Sequence, residues 1–249
     1  MRYFLNLSYK GTQYHGWQVQ QNANTVQEEL NKALTTILRT NIETIGSGRT
    51  DAGVHALEQV AHFDFDGSFD LHNLAYKLNS FLPRDISVNR IDRVKIETHA
   101  RFDAIQRSYL YRITMSKDPF ANEYTYFFNR GLDLGAMNAL RPILLEWTDY
   151  ECFSRVKTEV DHFLCDITDI CWENKNNEIH FTVSANRFLR GMVRAMVGTM
   201  IEVGLERINI GDFKKILESR DRRKAGEAVP AQGLFLQSIT YPKDIYYSE

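Results

Sequence analysis

The chain has 249 residues, of which 43% are hydrophobic and 25% charged, with 14 glycines and 5 prolines. Such usage excludes a disordered, collagen-like or low-complexity polypeptide, and the length fits one large domain or two small ones. Lys and Arg number 30 against 32 Asp and Glu, a net charge of −2, so bulk charge alone gives no sign of a polyanionic partner.

The N-terminal MRYFLNLSYK alternates like a strand and has no apolar run of signal-peptide length, and no stretch approaches the roughly 18 apolar residues that span a bilayer. A cytoplasmic, soluble protein without membrane contact is the expectation. Arg2–Tyr9 reads as a strand, and Thr25–Leu38 as a helix, because Val26, Leu30, Leu34, Ile37 and Leu38 recur at helical spacing behind a Thr25/Glu28 capping-box pattern. Ile42–Ile45 and Gln59–Phe65 read as strands separated by the glycine-bearing GSGRTDAGVHA. Leu71–Phe81 reads as a helix stopped by Pro83, and Ile86–Val94 as a strand, completing a β-α-β-β-α-β order.

The second half repeats that order. Its strands are Ser108–Thr114, Asp166–Trp172, Glu178–Ser184 and Leu234–Thr240, with helices at Gly135–Leu145, Arg187–Val203 and Asp212–Leu217. The fold class is therefore α+β: two ferredoxin-like halves, residues 1–104 and 105–249, forming an extended mixed and antiparallel sheet with helices on one side and a central cleft as the natural site. Cys152, Cys165 and Cys171 are odd in number and lack CxxC spacing, so neither a disulfide framework nor a metal site with His162 and His180 is favoured. They read as buried thiols.

The most unusual segment is Gly46 to Ala56, where glycine, Arg49 and Asp51 crowd the junction between two strands. A dinucleotide fingerprint would need Gly or Ala where Asp51 stands, and no GK[ST] of a phosphate-binding loop is present. Glycines here permit positive φ and close backbone approach, so the loop can hold one side chain rigidly. Arg49 and Asp51 either pair as an ordinary turn or form a working carboxylate kept ionised by its guanidinium neighbour. His55 is either a hydrogen-bonded structural residue or a general base.

The segment GRTDAGVHA resembles the signature of the TruA-type tRNA pseudouridine synthases. YKGTQYHGWQVQ with TVQEEL, HARFDA with RSYLYRI, NRFLRGMVRAMVG and PAQGLFLQSITYP resemble that family's blocks in the family's order, over nearly the whole chain. The resemblance implies an isomerase that converts uridines at positions 38 to 40 of the tRNA anticodon stem-loop to pseudouridine, without cofactor or metal, as a homodimer. It makes Asp51 the nucleophile and matches the active-site tyrosine to Tyr109, whose ring can stack on the uracil. It makes Arg194 the arginine that holds the aspartate ionised, alongside Arg49, and Leu234 the apolar wall of the uracil pocket. Arg187 and Arg190, expected on one stripe of a helix with Arg194, are assigned to phosphate contacts, whereas Tyr111 reads as a core aromatic. The GWQ segment at Trp17 has no assigned chemistry.

One departure lies between Asp149 and Trp172, where the family pattern is met only in outline and Glu159, Val160 and Asp161 stand where basic residues would suit RNA. The rival reading is a catalytically idle RNA-binding or tRNA-folding protein of the same fold. Against it, a mere binder has no use for an ionised aspartate facing RNA. The charge is uneven: bases exceed acids between Arg84 and Lys117, and further basic clusters lie at 187–194 and 214–224. These are expected to border the cleft that contains Asp51 and to make binding fall steeply with salt.

Overall fold

The computed structural model describes residues 1–156 and 160–247; Glu159, named above, lies outside them. The fold is α+β, in two compact units. One comprises Met1–Gln106 together with the C-terminal residues from Phe235 onward, the other Arg107–Leu234.

In the first unit, β1 (Arg2–Tyr9) lies antiparallel between β3 (His55–Asp64) and β4 (Ile86–Val94). The short β2 (Ile45–Gly46) pairs with the far end of β3, opposite Ala61 and His62. That leaves the start of β3 for β9 (Leu234–Thr240), which joins it in parallel with His55 opposite Phe235. The order β4-β1-β3-β2 is ferredoxin-like, and the C-terminal strand returns to the unit in which the chain began. Strand β3 begins earlier than its hydrophobic run suggests, because His55 and Ala56 are buried beside this partner. Strand β2 starts later than expected, because residues 42–44 bond side chains instead of a strand: the Ile42 N–H donates to Thr35 Oγ1, the Thr44 N–H donates to Asn31 Oδ1, and the Thr44 carbonyl accepts from Gln27 Nε2. Helix α1 (Val26–Leu38) begins at Thr25, whose side chain accepts the Glu28 N–H, and buries Val26, Leu30, Ala33 and Leu34. Helix α2 (Leu71–Phe81) is capped by Asp70 and buries Leu74 and Leu78.

In the second unit, β5 (Gln106–Thr114), β8 (Glu178–Ala185) and β7 (Ile167–Lys175) form an antiparallel ladder, with the two-residue β6 (Tyr126–Phe127) parallel to β5. The expected helix at 135–145 is two short ones, α3 (Leu134–Asn138) and α4 (Arg141–Glu146), because Pro142 has no N–H to continue the first. Helix α5 (Met192–Gly204) is almost wholly buried, and α6 (Ile210–Ser219) carries a complete Asn209/Asp212 capping box. Helix α5 corrects one expectation. Gly191 caps it at φ 73°, so Arg187 and Arg190 precede the helix and share no helical stripe with Arg194. Cys152 and Cys165 are fully buried, and burial pushes both thiols up to about 12; Cys171 is half-buried.

His62 on β3 is buried, its Nδ1 accepting the Ala100 N–H at 3.1 Å and its ring edge-on to His99 at 4.8 Å. Burial, reinforced by the Arg2 guanidinium, holds its pKa down to about 4. The folded value lies below the unfolded one near 6.5, so between those pH values the unfolded chain binds the extra proton. Stability therefore falls as the medium is acidified through that window and is unaffected by this group above it. Replacing His62 by Asn, which keeps an acceptor for Ala100, should remove roughly 1–2 kcal/mol of the stability lost between pH 7 and pH 5 in urea titrations. Equal losses in wild type and His62→Asn would exclude His62 as the cause.

Candidate active site

The loop between β2 and β3 is hydrogen-bonded at both ends and around Asp51. Ser47 donates its N–H to Val60 at 2.7 Å and its hydroxyl to Gln59 Oε1 at 2.5 Å, while buried Gln59 returns Nε2 to the Gly48 carbonyl at 3.1 Å. The Asp51 carbonyl accepts the Val54 N–H at 3.1 Å, closing a turn with Gly53 at φ 78°, a backbone that favours glycine. The Asp51 residue is half-buried and Thr50 buried. Arg49 is exposed and makes no hydrogen bond or ion pair among the described residues, so it does not close a structural pair with Asp51 across the turn.

His55 is 1% exposed, its Nδ1 accepts the Gly11 N–H at 3.0 Å, and its ring stacks on Phe235 at 4.7 Å. A sealed imidazole already spent as an acceptor is a structural residue, and the general-base alternative finds no support in this geometry. The GWQ segment, for which the sequence offered no chemistry, acts mechanically. Trp17 donates its N–H to the Thr50 carbonyl at 3.2 Å and lays its indole against Gly46. Gly16 backs directly onto the loop, since a β-carbon there would stand 2.4 Å from the Thr50 oxygen.

On the second unit, Tyr109 lies on β5 opposite Val183, half-buried, with the ring of Phe188 edge-on at 5.0 Å and 88°. Phe188 thus orients the ring assigned to stacking. The sequence offered Phe188 only as one apolar residue of a helix from Arg187 and as part of the NRFLRG block. Tyr111 is fully buried, donates its hydroxyl to the Pro230 carbonyl at 2.8 Å, and is the core aromatic expected of it; burial pushes its phenol pKa up. Arg194, in the first turn of α5, is fastened twice to Val229: its Nε donates to that carbonyl at 2.7 Å and its own carbonyl accepts that N–H at 3.2 Å. Arg187 reaches His162 Nε2 at 3.2 Å, and exposed Arg190 accepts the Arg155 N–H on its carbonyl at 3.0 Å. Leu234 is 5% exposed and follows the 3-10 turn Ala231–Gly233, packed under Tyr111.

Many of the clustered bases are neutralised locally. Arg112 is bidentate to Glu178 at 2.8 and 2.7 Å, and His180 shares that carboxylate at 2.9 Å. Arg90 meets Asp92, Arg220 meets Asp149, Arg223 meets Asp221 and Lys215 meets Asp212, all within 3.0 Å. The basic surplus read along the chain is therefore smaller at the surface than in the sequence.

The family model for tRNA pseudouridine synthase matches residues 7–103 and 148–242. The chain belongs to the tRNA pseudouridine synthase family. Synthases of this family are isomerases, and so is this one. The matched spans contain every assigned residue except Tyr109, which lies between them, and they include the 149–172 stretch. The chain is 47% identical to tRNA pseudouridine synthase A of Bacteroides thetaiotaomicron, over 100% of this chain and 93% of that protein. It is equally identical to the synthase A of Bacteroides fragilis, over 98% of each. The Treponema denticola synthase A is 42% identical, over 97% of this chain and 93% of its own. No helix among the described residues is long and apolar enough to cross a membrane.

Proposed function

We propose that this synthase converts uridines of the tRNA anticodon stem-loop to pseudouridine, with Asp51 as nucleophile, working as a cytoplasmic homodimer. The observation that carries the reading is Asp51 itself: a half-buried aspartate on a loop whose flanking residues Thr50 and Gly53 are both hydrogen-bonded, within a chain matched end to end by tRNA pseudouridine synthases. The reaction breaks the uridine C1′–N1 bond, turns the uracil and rejoins it through C5, and the proton displaced from C5 returns to N1. Atoms and oxidation state are conserved, so the proposal includes no cofactor and no metal. Arg194 pairs with the carboxylate, Arg49 adds positive charge to the same loop, Tyr109 stacks on the uracil, Leu234 shields it from water, and Arg187 and Arg190 take phosphates. The target base must leave its stack first, at a cost of a few kcal/mol.

The idle-binder alternative is not supported, because relatives matching over the full chain are synthases. Tritium release from tRNA labelled at C5 of uridine tests the activity, and mapping pseudouridine in tRNA from a strain lacking the protein identifies its sites. Release from the purified protein, together with loss of pseudouridine only in the anticodon stem-loop, is the expected result. No release from any tRNA would overturn the reading.

A further inference from the structure

We propose that the Tyr9 and Thr50 hydroxyls, together with the Tyr14 carbonyl, form a clamp that positions the Asp51 carboxylate. The inference rests on Asp51 being the nucleophile. The residue before Asp51 is tied at two atoms: the Thr50 carbonyl accepts the Trp17 N–H at 3.2 Å, and the Thr50 hydroxyl bonds the Tyr9 hydroxyl at 2.8 Å. Beyond the turn, the Gly53 N–H donates to the Tyr14 carbonyl at 3.2 Å. Asp51 is thus held from both flanks by the segment running from Tyr9 to Trp17.

That segment is itself anchored. Tyr9 ends β1, paired with Ala56 on β3 and Ile86 on β4, so its phenol projects from the middle of a sheet. Tyr14 donates its hydroxyl to Asp85 Oδ1 at 2.7 Å, and the Lys10 N–H donates to the Asp85 carbonyl at 2.9 Å. Tyr9 and Thr50 are 4% and 7% exposed, so their hydroxyls meet in a space from which water is largely excluded. Thr50 is β-branched and restricted at its first side-chain torsion, so holding its hydroxyl also holds its backbone. A nucleophile must approach its carbon to about 3–3.5 Å in line, and a displacement of about 1 Å costs on the order of a hundredfold in rate. Tyr9, Thr50 and Tyr14 are positioning residues on this account; none of them touches the reacting atoms.

Tyr9→Phe removes one oxygen and keeps the ring that lies 6.2 Å from Trp17; Thr50→Val removes the hydroxyl at constant shape, and Thr50→Ser keeps it. Rates of pseudouridine formation are measured well below the melting midpoint of each variant. Tyr9→Phe and Thr50→Val should each lower kcat about tenfold to a hundredfold with KM for tRNA within about twofold. The double variant should be no slower than the slower single one, and Thr50→Ser should restore most of the rate. A Tyr9→Phe enzyme at more than half the wild-type rate, a loss confined to KM, or losses that multiply in the double variant would each overturn the clamp. Asp51→Asn is assayed alongside. An active Asp51→Asn enzyme overturns the nucleophile assignment and the clamp with it, whereas an inactive one beside a normal Tyr9→Phe overturns the clamp alone.

Discussion

Asp51→Asn is expected to lower pseudouridine formation by at least about a thousandfold while leaving tRNA affinity within about threefold. A neutral amide is nearly the same shape as the carboxylate but cannot serve as an anionic nucleophile, and a thousandfold loss corresponds to about 4 kcal/mol of transition-state stabilisation. The structural cost should be small. The bonds that shape the turn are made by the Asp51 carbonyl with Val54, by Thr50 with Trp17 and Tyr9, and by Gly53 with Tyr14, and all of these survive the change. Binding should hold because the substitution removes a negative charge that would face an RNA polyanion. Single-turnover tritium release and filter binding with the same tRNA measure the two quantities. A residual rate above about one hundredth of wild type would remove Asp51 from the nucleophile's role.

The residues that make this loop were legible where the signal is local. The glycine-bearing junction, the apolar periodicity of α1, the Pro83 stop after α2 and the alternation of β5 all depend on neighbours in sequence, and the structure has them within a few residues of their expected bounds. What could not be read depends on distant partners. Trp17 and Gly16 look like an undirected aromatic and a turn glycine until Thr50 is seen packed against them. His55 remains open as base or strut until its Nδ1 meets Gly11. The stripe of Arg187, Arg190 and Arg194 follows from a helical wheel that begins five residues too early, because only Gly191's positive φ reveals where α5 starts. Charge is the same kind of case: Arg112 counts toward a basic cluster in sequence, but β5 and β8 place it against Glu178.

The glycines along α5 separate these two kinds of signal and lead to the largest stability effect expected in the molecule. At Gly198 a β-carbon would stand 1.8 Å from the Glu227 carbonyl oxygen, a backbone atom. That backbone is not free to retreat. The Gly226 N–H donates to Thr199 Oγ1 at 2.9 Å, and Val229 exchanges two hydrogen bonds with Arg194. In an open helix Gly→Ala stabilises by about 1 kcal/mol, but here the added methyl must push the 226–229 segment off the helix, so the sign reverses. Gly198→Ala should cost roughly 2–4 kcal/mol and lower the melting temperature by roughly 5–15 °C in a chain of this size. Turnover should fall with it, because Val229 is what fastens the Arg194 guanidinium. Gly191 provides the contrast: it sits at φ 73° with nothing within 4 Å of a built β-carbon, so Gly191→Asn, a residue that tolerates this backbone, should cost about 1 kcal/mol or less. Circular-dichroism melts of the two variants decide between them, and a Gly198→Ala protein that melts at or above the wild-type temperature would mean that the close approach of the helix and the 226–229 segment is not what this glycine is for.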